Sequence, residues 1–277
     1  MKKYLLFIVV LTAMLSAVAQ PIELDWKALG ETKPWLASEK WEPVPAKVTP
    51  GIYTAPPSDA VVLFNGSDLS AWNTPKYGYG ARMDQVKSIL DWKLKHPEEK
   101  SAAQWTVKDG AMIVKPGAGA IETNQTFGNV QLHLEWLAPV DPGKKDQAYS
   151  NSGVFFMGLY EVQVLNSYEN ATYSNGQAAS VYKQHIPMVN ASRPPGEWQA
   201  YDIVFTAPKF KTDGSLQSPA YVTVFHNGVL VQNHVEIKGP CVYIGRPEYI
   251  AHPAKMPLLL QDHGDMVRFR NIWIREL

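Results

Sequence analysis

A chain of 277 residues with 26 basic and 26 acidic side chains has no charge excess with which to hold nucleic acid or an anionic surface, and those partners are set aside. Its one cysteine, Cys241, excludes an intramolecular disulfide; ahead of Val242-Tyr243-Ile244 it reads as a buried spectator at a strand start, in preference to a nucleophile or a dimer link. Nine Trp, thirteen Tyr and nine Phe suit strand packing, and they equally suit stacking on sugar faces.

Lys2 and Lys3 precede an apolar run, Tyr4–Leu15, that ends in Ser16-Ala17-Val18-Ala19. The small residues Ala17 and Ala19 stand at −3 and −1 of a signal-peptidase site. Residues 1–19 therefore read as a cleavable leader, with a mature start at Gln20 and a periplasmic or secreted product. The run is shorter than the ~20 residues that cross hydrocarbon. No cysteine follows it for lipid attachment, and no later segment is apolar enough to span a membrane. Residues 20–60 carry Pro34, Pro43, Pro45, Pro50, Pro56 and Pro57, which exclude a helix or central strand. They read as an extended arm with Trp26, Trp35 and Trp41 as pins, followed by one domain over residues 61–277.

Val61–Phe64 predicts a strand and Asn65-Gly66 a turn. Met83, Val86, Ile89, Leu90 and Leu94 recur at helical spacing before Pro97, so residues 82–95 predict a helix of about three turns inserted between strands. Trp105–Val107 and Ala111–Val114 flank Asp109-Gly110 as a hairpin. Further strands are expected at Val130–Leu137, Gly153–Met157, Tyr160–Leu165, Ala178–Gln184, Trp198–Thr206, Tyr221–His226, Val229–Val231, Val242–Gly245, Leu258–Gln261 and Met266–Ile274. Asn227-Gly228 marks a second tight hairpin. Many short strands, one helix and no βαβ alternation predict an all-β jelly-roll sandwich of two antiparallel sheets with one short inserted helix.

Strand alternation sorts the side chains. Leu132, Leu134 and Trp136 share a face opposite Gln131, His133 and Glu135; Val162 and Val164 oppose Glu161 and Gln163. Such polar rows are ordinary on a solvated sheet face, yet amides, imidazole and carboxylates together also suit a sugar groove. Arg268 and Arg270 lie together, away from Val267 and Phe269. A cation beside Glu135 or Glu161 would fix a carboxylate and stabilise an oxyanion, or form a surface ion pair of little weight. The seven histidines are scattered, and no hydrolase elbow, zinc, phosphate-loop or Cys-x-x-Cys motif is present. No cofactor is called for, and a divalent metal is left open.

An ordered set of short motifs completes the reading: Leu63-Phe64-Asn65-Gly66-Ser67-Asp68-Leu69-Ser70-Ala71-Trp72, Trp105-Thr106-Val107-Lys108-Asp109-Gly110, Glu135-Trp136, Asn151-Ser152-Gly153-Val154-Phe155-Phe156, and Tyr160-Glu161-Val162-Gln163-Val164-Leu165. Then come Ala179-Ser180-Val181-Tyr182, Glu197-Trp198-Gln199, Asn227-Gly228, Leu260-Gln261-Asp262-His263-Gly264 and Phe269-Arg270-Asn271-Ile272. Over residues 61–277 the chain resembles the 3-keto-disaccharide hydrolase domain family. The resemblance implies a concanavalin A-like sandwich whose concave face carries Glu135, Glu161, Gln163, His263 and Arg270, with Asn151, Trp198, Tyr182, Gln261 and His133 as further sugar contacts. Two departures stand out: Asn166 where the family usually has Asp, and Ala179 where it favours Gly.

The same fold hosts retaining glycosidases with a Glu-x-Asp-x-x-Glu strand, whose carboxyl groups lie ~5–5.5 Å apart. Here the strand reads Glu161-x-Gln163-x-x-Asn166, which lacks the second carboxylate. A 3-keto sugar offers another route, because the ketone acidifies C2–H, the C1 substituent is eliminated, and water adds to the enone. Glu161 or Glu135 would be the base, Arg270 with Gln163 the enolate stabiliser, and His263 the acid or a substrate contact. The residues alone do not separate such an enzyme from a carbohydrate-binding module or a structural surface domain, and the resemblance favours the enzyme.

Overall fold

The computed structural model describes residue 35 and residues 38–277; the leader read at residues 1–19 and Trp26 lie outside the described residues. Val48–Leu277 form one compact unit. Trp35 and Trp41 are exposed.

In chain order the elements are β1 (Val61–Phe64), β2 (Trp72–Pro75), α1 (Met83–Lys95), β3 (Lys100–Ala102), β4 (Thr106–Lys108), β5 (Ala111–Ile113), β6 (Ile121–Phe127), β7 (Val130–Leu137) and β8 (Ser152–Phe156). There follow β9 (Tyr160–Val164), β10 (Trp198–Thr206), β11 (Lys209–Phe210), β12 (Leu216–Ser218), β13 (Ala220–His226), β14 (Val229–Ile237), β15 (Met256–Leu260) and β16 (Arg268–Glu276). One sheet has the order β14-β13-β10-β7-β16-β5-β4, with β1 also paired to β16; the other has β3-β2-β6-β15-β8-β9. The strands in both pair antiparallel, so the molecule is the expected jelly-roll sandwich.

Alternation builds the core between the sheets. Leu132, Leu134 and Trp136 of β7, with Tyr201, Ile203 and Phe205 of β10, meet Val154 and Phe156 of β8 and Tyr160, Val162 and Val164 of β9 in one buried cluster. Ring contacts tie the layers, with Phe156 stacked on Phe205 at 4.6 Å and Tyr160 meeting Phe205 at 5.8 Å, and within the larger sheet Trp136 meets Tyr201 edge-on at 5.5 Å. Asp109-Gly110 and Asn227-Gly228 turn their hairpins with positive φ at both residues, as two-residue turns of this type require.

The helix forms where its apolar spacing predicts, in the connection between the paired strands β2 and β3. It buries Val86 and Leu90. Phe155, on the side of β8 away from the core, lines a small cavity with α1 and Met157. The helix thus covers part of the outer face of the six-stranded sheet.

Two expected strands are absent. Residues 178–184 curl because Ala179 and Lys183 have φ of 65° and 58°, left-handed values that end a strand. The Ala179 position is the one where the resembled family favours glycine, and its φ supplies the reason. Residues 242–245 make only a bridge from Ile244 to Arg82. Strands β2, β3, β6, β11 and β12 were not foreseen. The β6 sequence is polar at its centre, and buried Thr123 is accommodated by hydrogen bonds from its hydroxyl to Gln125 O (2.6 Å) and from Leu258 N (3.1 Å).

Truncating the inter-sheet layer should be costly and trimming the outer face should not. Leu134→Ala, at a fully buried position, is expected to cost about 2–5 kcal/mol in urea unfolding. Val204→Ala, on the outward side of β10, should stay within about 0.5 kcal/mol.

Candidate active site

Because Tyr160, Val162 and Val164 enter the core, Glu161 and Gln163 stand on the outer face of the six-stranded sheet. There they line a cleft of about 420 Å³. Asn151, Gln147 and Gln261 add amides to its wall, and Tyr79, Tyr173, Tyr182 and Tyr243 add rings. His263 stands exposed at its rim. Six of the residues expected to act together are therefore assembled: Glu161, Gln163, Asn151, Tyr182, Gln261 and His263.

Glu161 is the one carboxylate among the residues lining the cleft. It is 4% exposed, and burial pushes its carboxyl up to about 8, tempered by a hydrogen bond from Cys241. Cys241 Sγ lies 2.7 Å from Glu161 Oε2. The Gln163 amide satisfies its neighbours with the nitrogen donating to Glu161 Oε1 (3.0 Å) and to Ser152 O (2.8 Å). Gly153 on the adjacent strand makes room, since a Cβ there would fall 2.3 Å from Glu161 Oε1. The phenols of Tyr173 and Tyr182 share a hydrogen bond of 2.6 Å, and burial pushes both upward, so they remain protonated donors at neutral pH.

Four expected site residues stand elsewhere. Leu134 and Trp136 face the core, so Glu135 and His133 point out of the eight-stranded sheet, on the opposite side of the sandwich. Arg270 and Trp198 stand on that face too. Arg270 Nε donates to Glu135 Oε2 at 2.6 Å, and its guanidinium lies 4.0 Å from the Trp198 ring. A bulge in β16 between Arg270 and Trp273 brings Asn271, at φ 47°, onto the same side, where its amide donates to Glu135 Oε1 at 3.0 Å. His133 pairs with Asp202 at 2.7 Å and stacks on Trp273. Thr54 closes this face by accepting from Trp273 Nε1 (2.9 Å) and Asn271 Nδ2. Residues 48–60, the last part of the stretch read as an arm, therefore run against this sheet.

That network holds its charges firmly. Glu135 is lowered to about 2, chiefly by the His133 imidazole 3.8 Å away and also by the hydrogen bonds from Asn271 and Arg270. Burial alone would lower His133, but its hydrogen bond to Asp202 and the nearby Glu135 carboxylate outweigh it and raise the imidazole to about 9. Glu135 is thus a poor base, and Arg270 is not available to an enolate beside Glu161.

Sequence reasoning missed Tyr79, Gln147, Tyr173, Tyr243 and Cys241, which reach the cleft from loops that carry no strand period. Asn166 does not line the cleft. It is buried beyond the end of β9, where its backbone bonds Tyr149 and Asn170. Among the described residues no three His, Cys, Asp or Glu side chains cluster as metal ligands would. Among them, too, no helix is long and apolar enough to cross a membrane.

The two carboxylates should give opposite pH dependences of stability. The unfolded chain ionises near 4.5, so Glu161 weighs increasingly against the folded state from pH 4.5 to about 8. The Tm of Glu161→Gln minus that of wild type should rise across this window. The Glu135 contribution is fully present above 4.5 and is lost as pH falls to about 2, so Glu135→Gln should be destabilised at pH 6 and approach wild type in acid. Thermal melts across pH 2–8 measure both, and flat differences would contradict the assignment.

A Parabacteroides distasonis ATCC 8503 protein described as a "putative glycosyl hydrolase" has a crystal structure similar to this chain, with 45% identity, a TM-score of 0.74, and coverage of 87% of this chain and 95% of that one. A second structure from that organism, described in the same words, shares the fold at 19% identity and a TM-score of 0.51, over 79% of this chain and 94% of that one. No curated protein matches. Residues 59–275 match the 3-keto-alpha-glucoside-1,2-lyase-like domain. Together these support a glycoside hydrolase-like or carbohydrate-binding role. The chain belongs to the 3-keto-disaccharide hydrolase domain family.

Proposed function

We propose that the protein cleaves 3-keto-glycosides by elimination across C1–C2 followed by hydration, with Glu161 as the base. The observation that carries this reading is the lone, buried, high-pKa carboxyl in an amide- and tyrosine-lined cleft. Ordinary double displacement asks for a second carboxyl about 5–5.5 Å away, and none lines the cleft among the described residues. A base whose pKa is near 8 is well matched to a carbon acid activated by a neighbouring ketone. The family's description as 1,2-lyase-like supports the same bond order of events.

In this reading Glu161 takes the proton from C2 and the electron pair moves into the ketone to form an enolate. Asn151 and Tyr182 donate to the enolate oxygen, while Gln163 holds the Glu161 carboxyl. The enolate then collapses, the C1–O bond breaks, and His263 gives a proton to the leaving oxygen. Water adds at C1 of the enone and a proton returns to C2, which completes a net hydrolysis. Aromatic side chains hold the sugar faces. The leader motif supports an exported protein, and N-terminal sequencing of the mature product should begin at Gln20.

Turnover of a 3-keto-disaccharide panel in deuterated water, followed by NMR, tests the reaction. Deuterium should enter at C2. Glu161→Gln should lose on the order of 10²–10⁴ in kcat/KM, while Glu135→Gln keeps the wild-type rate. Because the base must be ionised, kcat/KM should rise with pH up to about 8. Sugar binding in the cleft without turnover of any panel member would make the protein a carbohydrate-binding module instead.

A further inference from the structure

We infer that Cys241 is a positioning residue whose thiol holds the Glu161 carboxyl in place and tunes its basicity by donating to Oε2. The inference rests on the reading of Glu161 as the base. Three observations carry it. Cys241 Sγ lies 2.7 Å from Oε2, and its backbone is anchored by a hydrogen bond from Cys241 N to Leu159 O (2.7 Å), on the turn between β8 and β9. The two carboxyl oxygens have separate donors, since Gln163 serves Oε1 and the thiol serves Oε2. The carboxyl occupies space that only glycine leaves, since a Cβ at Gly153 would fall 2.3 Å from Oε1.

The remaining titratable groups around the pair do not substitute for the thiol. Tyr79, Tyr173 and Tyr182 line the same cleft, but the Tyr79 hydroxyl donates to Asp262 O, and the two other phenols bond each other. The Lys183 ammonium donates to Tyr243 O and lies 3.9 Å from the Tyr243 ring. His263 is at the exposed rim. Removal of the thiol would leave Oε2 facing burial without a donor.

A thiol is a weak donor, so it orients a carboxylate while leaving it strongly basic. A hydroxyl at this position would sit slightly farther away on its shorter Cβ–O bond, still within reach, and would stabilise the anion more. The reactivity of the thiol itself is not what is used. Its burial and the nearby Glu161 charge push it well above the ordinary thiol range, which keeps the nucleophilic thiolate scarce.

Because Cys241 is the only cysteine, the S–H stretching band of the intact protein reports on this contact alone. The band should move to lower frequency as Glu161 ionises with rising pH, and that titration should vanish in Glu161→Gln. Alongside it, the Glu161 side-chain ¹³C carboxyl signal should titrate highest in Cys241→Ala, intermediate in wild type and lowest in Cys241→Ser. The kcat/KM pH profiles should shift in the same order, by about half a pH unit or more between the Ala and Ser variants. An S–H band indifferent to pH, or a Glu161 midpoint unchanged by both substitutions, overturns the inference. Full activity of Glu161→Gln would instead overturn the reading of Glu161 as the base. The band and the carboxyl titration would still report the contact in that case, so the two failures are distinguishable.

Discussion

The apolar layer between the sheets decides on which side of the molecule every polar strand residue stands. In β7 it takes Leu132, Leu134 and Trp136, and in β9 it takes Tyr160, Val162 and Val164. With a side-chain period of two, their neighbours have no choice of face. His133 and Glu135 are driven to one outer surface, Glu161 and Gln163 to the other. The core therefore separates two polar sets that share residue types and look interchangeable in a linear reading.

Surroundings then give the two glutamates opposite character. Glu135 receives hydrogen bonds from Asn271 and Arg270 and has the His133 imidazole 3.8 Å away, so ionisation is favoured far below the ordinary carboxylate range. Glu161 is more deeply buried, and its donors are an amide and a thiol, both neutral. Desolvation prevails there, and the proton is held to about pH 8. Glu135 with its partners binds Thr54 against the eight-stranded sheet, which is structural work. Glu161 faces a cleft.

Much of the architecture was legible because strand periodicity and turn chemistry are local signals. The hairpins at Asp109-Gly110 and Asn227-Gly228, the amphipathic helix over residues 82–95 and the in-out sorting of β7 and β9 all follow from them. What failed was the assignment of faces to sheets, because no local signal says that β7 and β9 belong to different sheets. The apolar look of residues 178–184 also misled, since nothing in Ala179 itself announces a left-handed backbone. Cys241 is the subtler case. Its apolar neighbours suggested a buried strand, while its actual role is set by a contact with a residue 80 positions away.

The missing acid at Asn166 takes on a different meaning once its place is known. A carboxylate there would not have entered the cleft, because β9 ends at Val164 and Asn166 is buried in hydrogen bonds with the adjoining loop. The cleft chemistry is single-carboxylate by construction, independent of that substitution. A site of this kind lacks the paired acid and nucleophile that an unactivated glycoside demands. In the proposed reaction the activation comes from the substrate, whose ketone lies next to the carbon that loses its proton. Burial of the one carboxyl then raises the strength of the base without a second charge nearby to hold it, which favours proton removal from carbon over displacement at C1.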